Sequence, residues 1–342
     1  MLPGVDDQAV TGERAGGPAE PGPGLEQGDR RALWDLFTVS ALNIAGDDAS
    51  LALAATVVKT GLLGKNNAAD IGVPALPLGE LHGDAAATLL AKLGAEVLIG
   101  AKVSAIDVDP TGARPRFRLR LAADQTRPAQ MAADAVVLAV PHETAARLMP
   151  PGALPDGAVA GWSGLGASPI VNVHVIYDRP VTDLPFAAAV DSPVQWVFDR
   201  SRISGLDRSS PDRPQYLAIS LSAADDYVDV PAARLRDRLV PALAELFPAA
   251  RDARVIEFFV TRERRATFRQ APGSARLRPR PGTQLPGLVL AGAWTATGWP
   301  DTMEGAVRSG LAAAIELRRT VLSASWARTR PTTKTSTIGV SQ

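Results

Sequence analysis

The residues best suited to binding a ligand lie in the segment Leu285–Ala314. An apolar run in this segment ends at Gly292, where the backbone can approach a bound group with no side chain in between. A helix then begins near Thr302, and the amides of its first turn, beside Glu304, are available to an acceptor above the helix. One face of this helix carries only small residues, which are Gly305, Ala306, Ser309 and Gly310. This spacing lets a flat ring or a second helix lie close, although tight packing in an ordinary strand–turn–helix would give the same spacing.

The elements that must position this segment follow from the periodicity of the chain. Helical spacing predicts helices near residues 30–42, 51–62, 83–93, 142–149 and 231–247, and a last helix from about residue 302. Apolar runs and alternation predict strands at 95–100 (AEVLIG), 101–109, 117–122, 134–141, 167–178, 215–223, 255–268 and 287–293. The strand at 134–141 is continuously apolar, which predicts burial on both of its faces.

Composition excludes several classes of function. Lys+Arg and Asp+Glu are both 36, so the formal net charge is +0 and no field is available to attract nucleic acid. The chain has no Cys, which excludes disulfides, thiolate metal sites and cysteine nucleophiles. The apolar run Ala135–Val140 is much shorter than the roughly 20 residues needed to cross a bilayer. Because the opening MLPGVDDQAV has no signal-peptide pattern, the sequence predicts a cytoplasmic protein.

Other catalytic chemistries have weak support. His82, His142 and His174 are scattered without ligand spacing, so no metal site is predicted and each is expected to be a structural histidine. GWSGL at Gly161–Leu165 lacks the last glycine of a nucleophile elbow, which disfavours a hydrolase.

Against this background, TGWPDTMEGAVRSG at Thr297–Gly310 resembles the carboxyl-terminal flavin motif of the flavin amine oxidase and phytoene desaturase superfamily. Within that superfamily the chain is most similar to the hydroxysqualene dehydroxylase family. Four further stretches support the resemblance: LWDLFTVSALN at Leu33–Asn43, PLGELHGDAA at Pro77–Ala86, ADAVVLAVPH at Ala133–His142 and RRATFRQAPGSARLRP at Arg264–Pro279. The resemblance covers roughly residues 30–322.

The resemblance implies FAD as cofactor and a set of residues that contact it. The helix start at Met303 would place backbone amides near the flavin pyrimidine oxygen, and Gly292 and Trp294 would lie by the ribityl chain and the isoalloxazine. The backbone of Val103 would meet the adenine ring. The full implied set is Val103, Ala139, Pro141, Gly292, Trp294, Met303, Glu304, Gly305 and Ala306. Asp301 is a weak candidate for the general acid, because it lies in the same motif.

The sequence departs from the family pattern at two places. Family members open with a strand and a G-x-G-x-x-G turn that holds a pyrophosphate on a helix amino terminus, and residues 1–130 contain no such turn. Many relatives have Asp where this chain has Ala293, and one lost contact costs about 1–3 kcal/mol if a buried partner stays unpaired. We therefore expect an amino-terminally truncated relative that lacks most of the first βαβ unit.

The predicted fold class is α/β, with an incomplete Rossmann-like FAD-binding domain and an inserted α+β substrate domain. The predicted divisions are a disordered leader at 1–28, a helical substrate-domain segment at 29–78, the middle part of the FAD-binding domain at 79–150, the inserted substrate domain at 151–270, the carboxyl-terminal part of the FAD-binding domain at 271–322 and a disordered tail at 323–342.

The activity that the resemblance implies is reduction of hydroxysqualene to squalene in hopanoid or related triterpene synthesis. A carotenoid desaturase or an amine oxidase on the same scaffold is an alternative, as is an inactive or partner-dependent fragment. The implied partner is an apolar isoprenoid substrate, with transient contact at a membrane surface and no nucleic acid. The oligomeric state is not predicted.

Each of three groups of residues is open to two interpretations. The aliphatic helix Leu51–Leu63 could line a hydrocarbon tunnel or belong to the core. Trp196, Phe198 and Tyr227 are expected in the core more than in a substrate cage. Seven arginines could meet a phosphate, although a solvated face is the usual outcome; they are Arg262, Arg264, Arg265, Arg269, Arg276, Arg278 and Arg280.

Overall fold

The computed structural model describes residues 34–111, 116–122, 128–206 and 213–328, with side chains up to Thr320. The chain divides into two compact units. The first unit contains the described residues of Met1–Ile99, Leu165–Ala275 and Gly298–Asp301. The second contains those of Gly100–Gly164, Arg276–Thr297 and Thr302–Gln342. The predicted leader at 1–28 lies outside the described residues.

Helices and strands follow one another in groups along the described chain. The helices are α1 (Leu36–Leu42), α2 (Leu51–Gly61), α3 (Ala85–Lys92), which a π-helical turn at Gly79–Asp84 precedes, α4 (His142–Leu148), α5 (Ala158–Gly161), α6 (Ala232–Leu246) and α7 (Met303–Arg328). The strands are β1 (Val103–Val108), β2 (Phe117–Leu121), β3 (Gln130–Ala133), β4 (Val136–Leu138), β5 (Ser168–Tyr177), β6 (Phe186–Ala188), β7 (Trp196–Asp199), β8 (Gln215–Leu221), β9 (Val255–Thr267) and β10 (Leu288–Leu290).

A five-stranded antiparallel sheet with the order β6-β7-β8-β5-β9 dominates the first unit. Its central strands alternate between buried and half-buried residues, because successive side chains of a strand point to opposite faces. Val171, Val173 and Val175 lie on the buried face, in one core cluster with Leu239 and Leu243 of α6. The sequence alternation that predicts β5 and β8 is therefore confirmed.

Asn43 is a buried hydrogen-bonding centre in the first unit. It follows α1 in the left-handed region (φ 52°), a conformation that asparagine tolerates better than most residues. Its Nδ2 donates to the Ser168 carbonyl and to the Thr267 hydroxyl, both at 3.0 Å. Its Oδ1 accepts from the Ala223 amide at 2.6 Å. One side chain thus links α1 to β5, to β9 and to the turn after β8.

The second unit contains a parallel pair of strands, β4 and β10, in which Val136 is opposite Leu288 and Leu138 is opposite Leu290. Helix α7 packs on β10, and Val289, Ala291 and Ala313 form a small core there. The antiparallel sheet β1-β2-β3 is separate from this pair.

Burial of β4 on both faces was the expectation, and it is wrong. Val137 is 44% exposed, whereas Leu138 is 4% exposed. The physical reason is that described elements cover only one face of this short strand.

The predicted strand AEVLIG at 95–100 is also absent. These residues form no strand, and Val97, Leu98 and Ile99 are exposed. A strand requires a neighbour for its amides and carbonyls, and no described strand pairs with this segment.

The predicted tail beginning at 323 needs correction as well, because α7 continues to Arg328. Residues 323–328 (SASWAR) contain neither Gly nor Pro, so nothing in them ends a helix. The rest of the predicted tail lies outside the described residues. Within the described part of the chain, no helix is long and apolar enough to cross a membrane.

We expect Asn43→Asp to lower the free energy of unfolding by about 2 kcal/mol or more, because a carboxylate cannot donate to Ser168 and Thr267 and its charge would be buried. Equilibrium unfolding in urea measures the change. Asn67→Asp, at an exposed position, is the matched control and should shift stability by less than about 0.5 kcal/mol. Equal stability of the two variants would contradict the linking role of Asn43.

Candidate functional site

The candidate site lies at the carboxyl ends of the parallel strands β4 and β10. The pairing of Leu138 with Leu290 brings these ends to one edge of the sheet. The Ala291 amide extends this pairing by donating to the Leu138 carbonyl at 3.1 Å. Ala139 and Pro141, which follow β4, are exposed at this edge. Ligands of open parallel sheets bind outside the carboxyl ends of the strands. The strand pairing thus brings together two segments that are far apart in the sequence.

Gly292, directly after β10, has a conformation that requires glycine. Its φ is 131°, and a Cβ at this position would lie 2.5 Å from the Trp294 Nε1. Its amide donates to the Ser309 hydroxyl of α7 at 2.8 Å, and its carbonyl accepts from the Thr295 amide at 3.0 Å. The sequence predicts that a bound group approaches the backbone at Gly292. In the structure the group that lies closest to Gly292 is the indole of Trp294.

Trp294 is a buried residue that joins the two strand ends. Its side chain is 4% exposed, and its Nε1 donates to the Val140 carbonyl at 2.8 Å. The Trp162 ring meets it edge-on, with the ring centroids 4.9 Å apart. Because the indole is buried against other protein groups, a cofactor could contact Trp294 only through its backbone.

Arg278 fixes the loop that follows β10. Its buried guanidinium donates to the Ala293 carbonyl at 2.8 Å, to the Thr295 carbonyl at 2.9 Å and to the Thr297 hydroxyl at 3.0 Å. A solvated face is the expectation for the arginines of this stretch, and for Arg278 it is wrong. No feature of the spacing distinguishes Arg278 from the exposed Arg276 and Arg280, since its acceptors are carbonyls that only the folded loop brings together.

The start of α7 presents both exposed and packed residues. Thr302 caps the helix, because its hydroxyl accepts from the Gly305 amide at 3.2 Å. Met303 is 61% exposed, and Ala306 is also exposed. Glu304 forms an exposed ion pair with Arg308 at 2.7 Å, so its side chain already has a partner.

The small residues of α7 divide between two faces. Gly305 and Ser309 are buried, whereas Ala306 and Gly310 are exposed. The buried pair lets the helix approach β10, and Ser309 bonds to Gly292 there. Part of the small-residue pattern is thus explained by packing within the protein, and only the exposed part is available to a ligand.

Two of the predicted residues, Val103 and Asp301, make their described contacts with other segments. Val103 is half-buried at the start of β1, where it pairs with Leu121 in the other sheet of the second unit. Asp301 belongs to the first unit, where its carboxylate accepts from the Phe268 amide at 2.8 Å and its amide donates to the Gln270 side chain at 3.0 Å. This geometry gives Asp301 a role in holding a loop, and its role as an acid stays a prediction.

The edge has features that suit the isoalloxazine end of a flavin. A flat ring can lie against the exposed Ala139 and Pro141, beside the loop that begins at Gly292. The amides of Met303 and Glu304 in the first turn of α7 suit an electronegative ring oxygen. The described residues do not include the phosphate-binding part of a dinucleotide site, because no strand within the described ranges is followed by a G-x-G-x-x-G turn.

We expect Gly292→Ala to lower the free energy of unfolding by about 1–3 kcal/mol, because the new Cβ would clash with Trp294 and alanine disfavours the observed φ. Thermal or urea unfolding measures this loss. Gly310→Ala is the control, since a Cβ there meets nothing within 4 Å in an exposed helical position, and it should be neutral or stabilising by up to about 1 kcal/mol. A neutral Gly292→Ala variant would show that the loop does not need the observed geometry.

Known proteins with similar sequences include isoprenoid enzymes. The chain is 32% identical over 276 residues to a hydroxysqualene dehydroxylase of Rhodopseudomonas palustris, which covers 81% of this chain and 59% of that protein. It is 26% identical over 227 residues to a 15-cis-phytoene desaturase of an Oncidium hybrid, which covers 64% of this chain and 37% of that protein. The chain therefore spans well under two thirds of the length of these relatives.

Known structures show the same fold. An oxidoreductase from Methanosarcina mazei superposes with a TM-score of 0.59 at 17% identity, over 84% of this chain and 65% of that one. This likeness supports the predicted α/β FAD-binding class of fold. Residues 25–317 match the family model described as flavin containing amine oxidoreductase. The chain belongs to the flavin-containing amine oxidoreductase family.

Proposed function

We propose that the protein is an FAD-dependent oxidoreductase that removes the hydroxyl of hydroxysqualene to give squalene. The observation that carries this proposal is the edge formed by β4, β10 and the start of α7, in a chain 32% identical to a hydroxysqualene dehydroxylase. The substrate is taken from the name of that relative, and the geometry of the edge supports a flavin ring there.

An apolar groove in the first unit supports an apolar substrate. The groove has a volume of about 280 Å³ and lies between α1 and α2. Its apolar lining residues include Trp34, Phe37, Val57, Val58, Leu62 and Ile71. Helix α2 therefore lines a groove, as expected for a hydrocarbon site rather than for a fully packed core helix. Such a substrate is also consistent with our proposal of a cytoplasmic protein in transient contact with a membrane surface.

The protein's own residues would orient the reactants and exclude water. Bound FAD, once reduced, would supply a hydride to the carbon that loses the hydroxyl. The loop that begins at Gly292 would pass beside the ring, and the first-turn amides at Met303 and Glu304 would hold a ring oxygen. Arg278 and Ser309 would keep that loop in place. The apolar groove would keep water from the hydrocarbon part of the substrate.

A carotenoid desaturase is the second candidate, because the chain also resembles a phytoene desaturase over 227 residues. Both candidates place a polyisoprenoid chain in an apolar site, so the groove alone does not separate them. Their chemistry does, since a desaturase removes hydrogen from its substrate, whereas the proposed reaction adds a hydride.

The purified chain should bind FAD and, with reduced flavin under anaerobic conditions, convert hydroxysqualene to squalene without desaturating phytoene or oxidising an amine. Flavin absorbance measures binding, and product chromatography measures turnover. Ala306→Trp, at the exposed start of α7, should weaken FAD binding at least about tenfold by blocking the ring.

Ala314→Trp, exposed farther along the same helix, is the matched control and should leave binding unchanged. A colourless protein that FAD fails to stabilise would favour an inactive or partner-dependent fragment and overturn the proposal. Desaturated phytoene as the product would support the second candidate.

A further inference from the structure

The apolar groove of the first unit has a mouth formed by apolar side chains. The residues that line the groove and are also exposed include Trp34, Phe37, Leu62 and Ile71. Their exposed fractions lie between 38% and 50%, and we call these four residues the groove rim. Large apolar side chains gain free energy when they leave water. A rim of this composition therefore suits an apolar environment.

The turn after α2 presents a second exposed leucine beside the rim. Leu63 is 73% exposed and directly follows Leu62 of the rim. The amides of both leucines donate to the Val58 carbonyl of α2, at 2.8 Å for Leu62 and 3.1 Å for Leu63. The backbone of the turn is thus fixed to the helix, while both leucine side chains remain exposed.

Basic side chains flank these two leucines. Lys59 precedes Leu62 by one helical turn and Lys65 follows Leu63, and both lysines are exposed. They are the only charged residues in the stretch 51–69, and Asp70 is the first acidic residue after it. Exposed apolar side chains between lysines suit a surface that is hydrocarbon inside and negatively charged at its boundary. An anionic lipid bilayer is such a surface.

The interior of the groove is apolar as well. Val57 of α2 and Trp196 of β7 line it. Core placement is the expectation for Trp196, yet it is half-buried and forms part of the groove wall. Its Nε1 donates to the Ser40 hydroxyl of α1 at 2.7 Å. Because this bond occupies the one polar atom of the indole, Trp196 offers an apolar surface to a hydrocarbon.

We propose that the groove rim, together with Leu63, Lys59 and Lys65, docks on an anionic lipid bilayer and that a hydrocarbon substrate enters the groove from the bilayer. The apolar side chains lie at the level where headgroups meet hydrocarbon, and the lysines meet lipid phosphates. Docking removes the rim from water and joins the groove to the lipid, so the substrate does not cross water. The route of entry rests on the proposed function, whereas the docking does not.

Sedimentation of the full chain with vesicles tests the docking without flavin or substrate. The chain should bind vesicles made of equal parts of phosphatidylcholine and phosphatidylglycerol. Leu63→Asp should weaken this binding at least about tenfold, because it replaces an inserted leucine with a negative charge. Leu184→Asp is the matched control, since Leu184 is also exposed but lies between β5 and β6, and it should leave binding unchanged. A wild-type chain that does not sediment, or an equal loss in both variants, would overturn the docking.

Replacing both lysines tests the electrostatic part of the contact. Lys59→Gln combined with Lys65→Gln should weaken binding to the anionic vesicles about 25-fold, at about fivefold for each lysine. Binding to vesicles of phosphatidylcholine alone should stay the same. An equal loss on both kinds of vesicle would contradict contact of these lysines with lipid phosphates.

Brominated lipids locate the docked surface, because bromine in the acyl chains quenches only tryptophan that reaches the lipid. Vesicles with such lipids should quench the fluorescence of the wild type, and Trp34→Phe should lose most of this quenching. Unchanged quenching in Trp34→Phe would show that another surface docks. Light scattering without vesicles tests a different occupant of the rim. A dimer that Leu63→Asp dissociates would assign the rim to a second copy of the chain and overturn the proposal.

Turnover distinguishes failure of this inference from failure of the proposed function. With reduced FAD, Leu63→Asp should lower turnover of hydroxysqualene in vesicles at least about fivefold more than turnover of the same alcohol in detergent micelles. An equal loss in vesicles and micelles would refute entry from the bilayer. A wild type that binds vesicles but forms no squalene from either preparation would refute the proposed function and leave the docking intact.

Discussion

Parallel pairing of β4 with β10 is the constraint on which the candidate site depends. After β4 the chain stays in the second unit up to Gly164, then forms all five strands of the first unit's sheet, and returns to the second unit at Arg276, before β10. The site exists only where the two strand ends meet, and each contact there presupposes the pairing. The bond from Trp294 to the Val140 carbonyl spans the two ends directly, and the bond from Gly292 to Ser309 fixes the helix that follows.

Buried polar side chains fix backbone positions that apolar packing alone would not fix. Asn43 makes hydrogen bonds with groups from three different segments, and Arg278 makes several with one loop. A buried polar group is costly without partners and is strongly oriented with them. Asn43 therefore defines the junction of α1 with the sheet, and Arg278 defines the loop after β10. Both features hold backbone in place beside surfaces that we assign to ligands.

The sequence predicts the elements well where their periodicity is strong and local. Alternation gives β5 and β8, and helical spacing with a terminal serine gives α2, whose cap is Ser50. The prediction fails where a strand needs a pairing partner that the sequence does not show, as for AEVLIG at 95–100. Strand pairing brings Ala139, Pro141 and Gly292 to one edge, and their contact with a cofactor stays a prediction. The inward turn of Trp294 was not predictable. Spacing does not show which carbonyls surround Arg278, so the burial of that arginine required the structure.

We propose that flavin binds at the edge formed by β4, β10 and the start of α7. Amide hydrogen exchange with and without FAD localises binding most directly, because backbone at a ligand site exchanges more slowly when the ligand is bound. The account predicts slower exchange for peptides covering Gly292–Ala306 and unchanged exchange in α6. Protection confined to the first unit, or none in Gly292–Ala306 at saturating FAD, would contradict it.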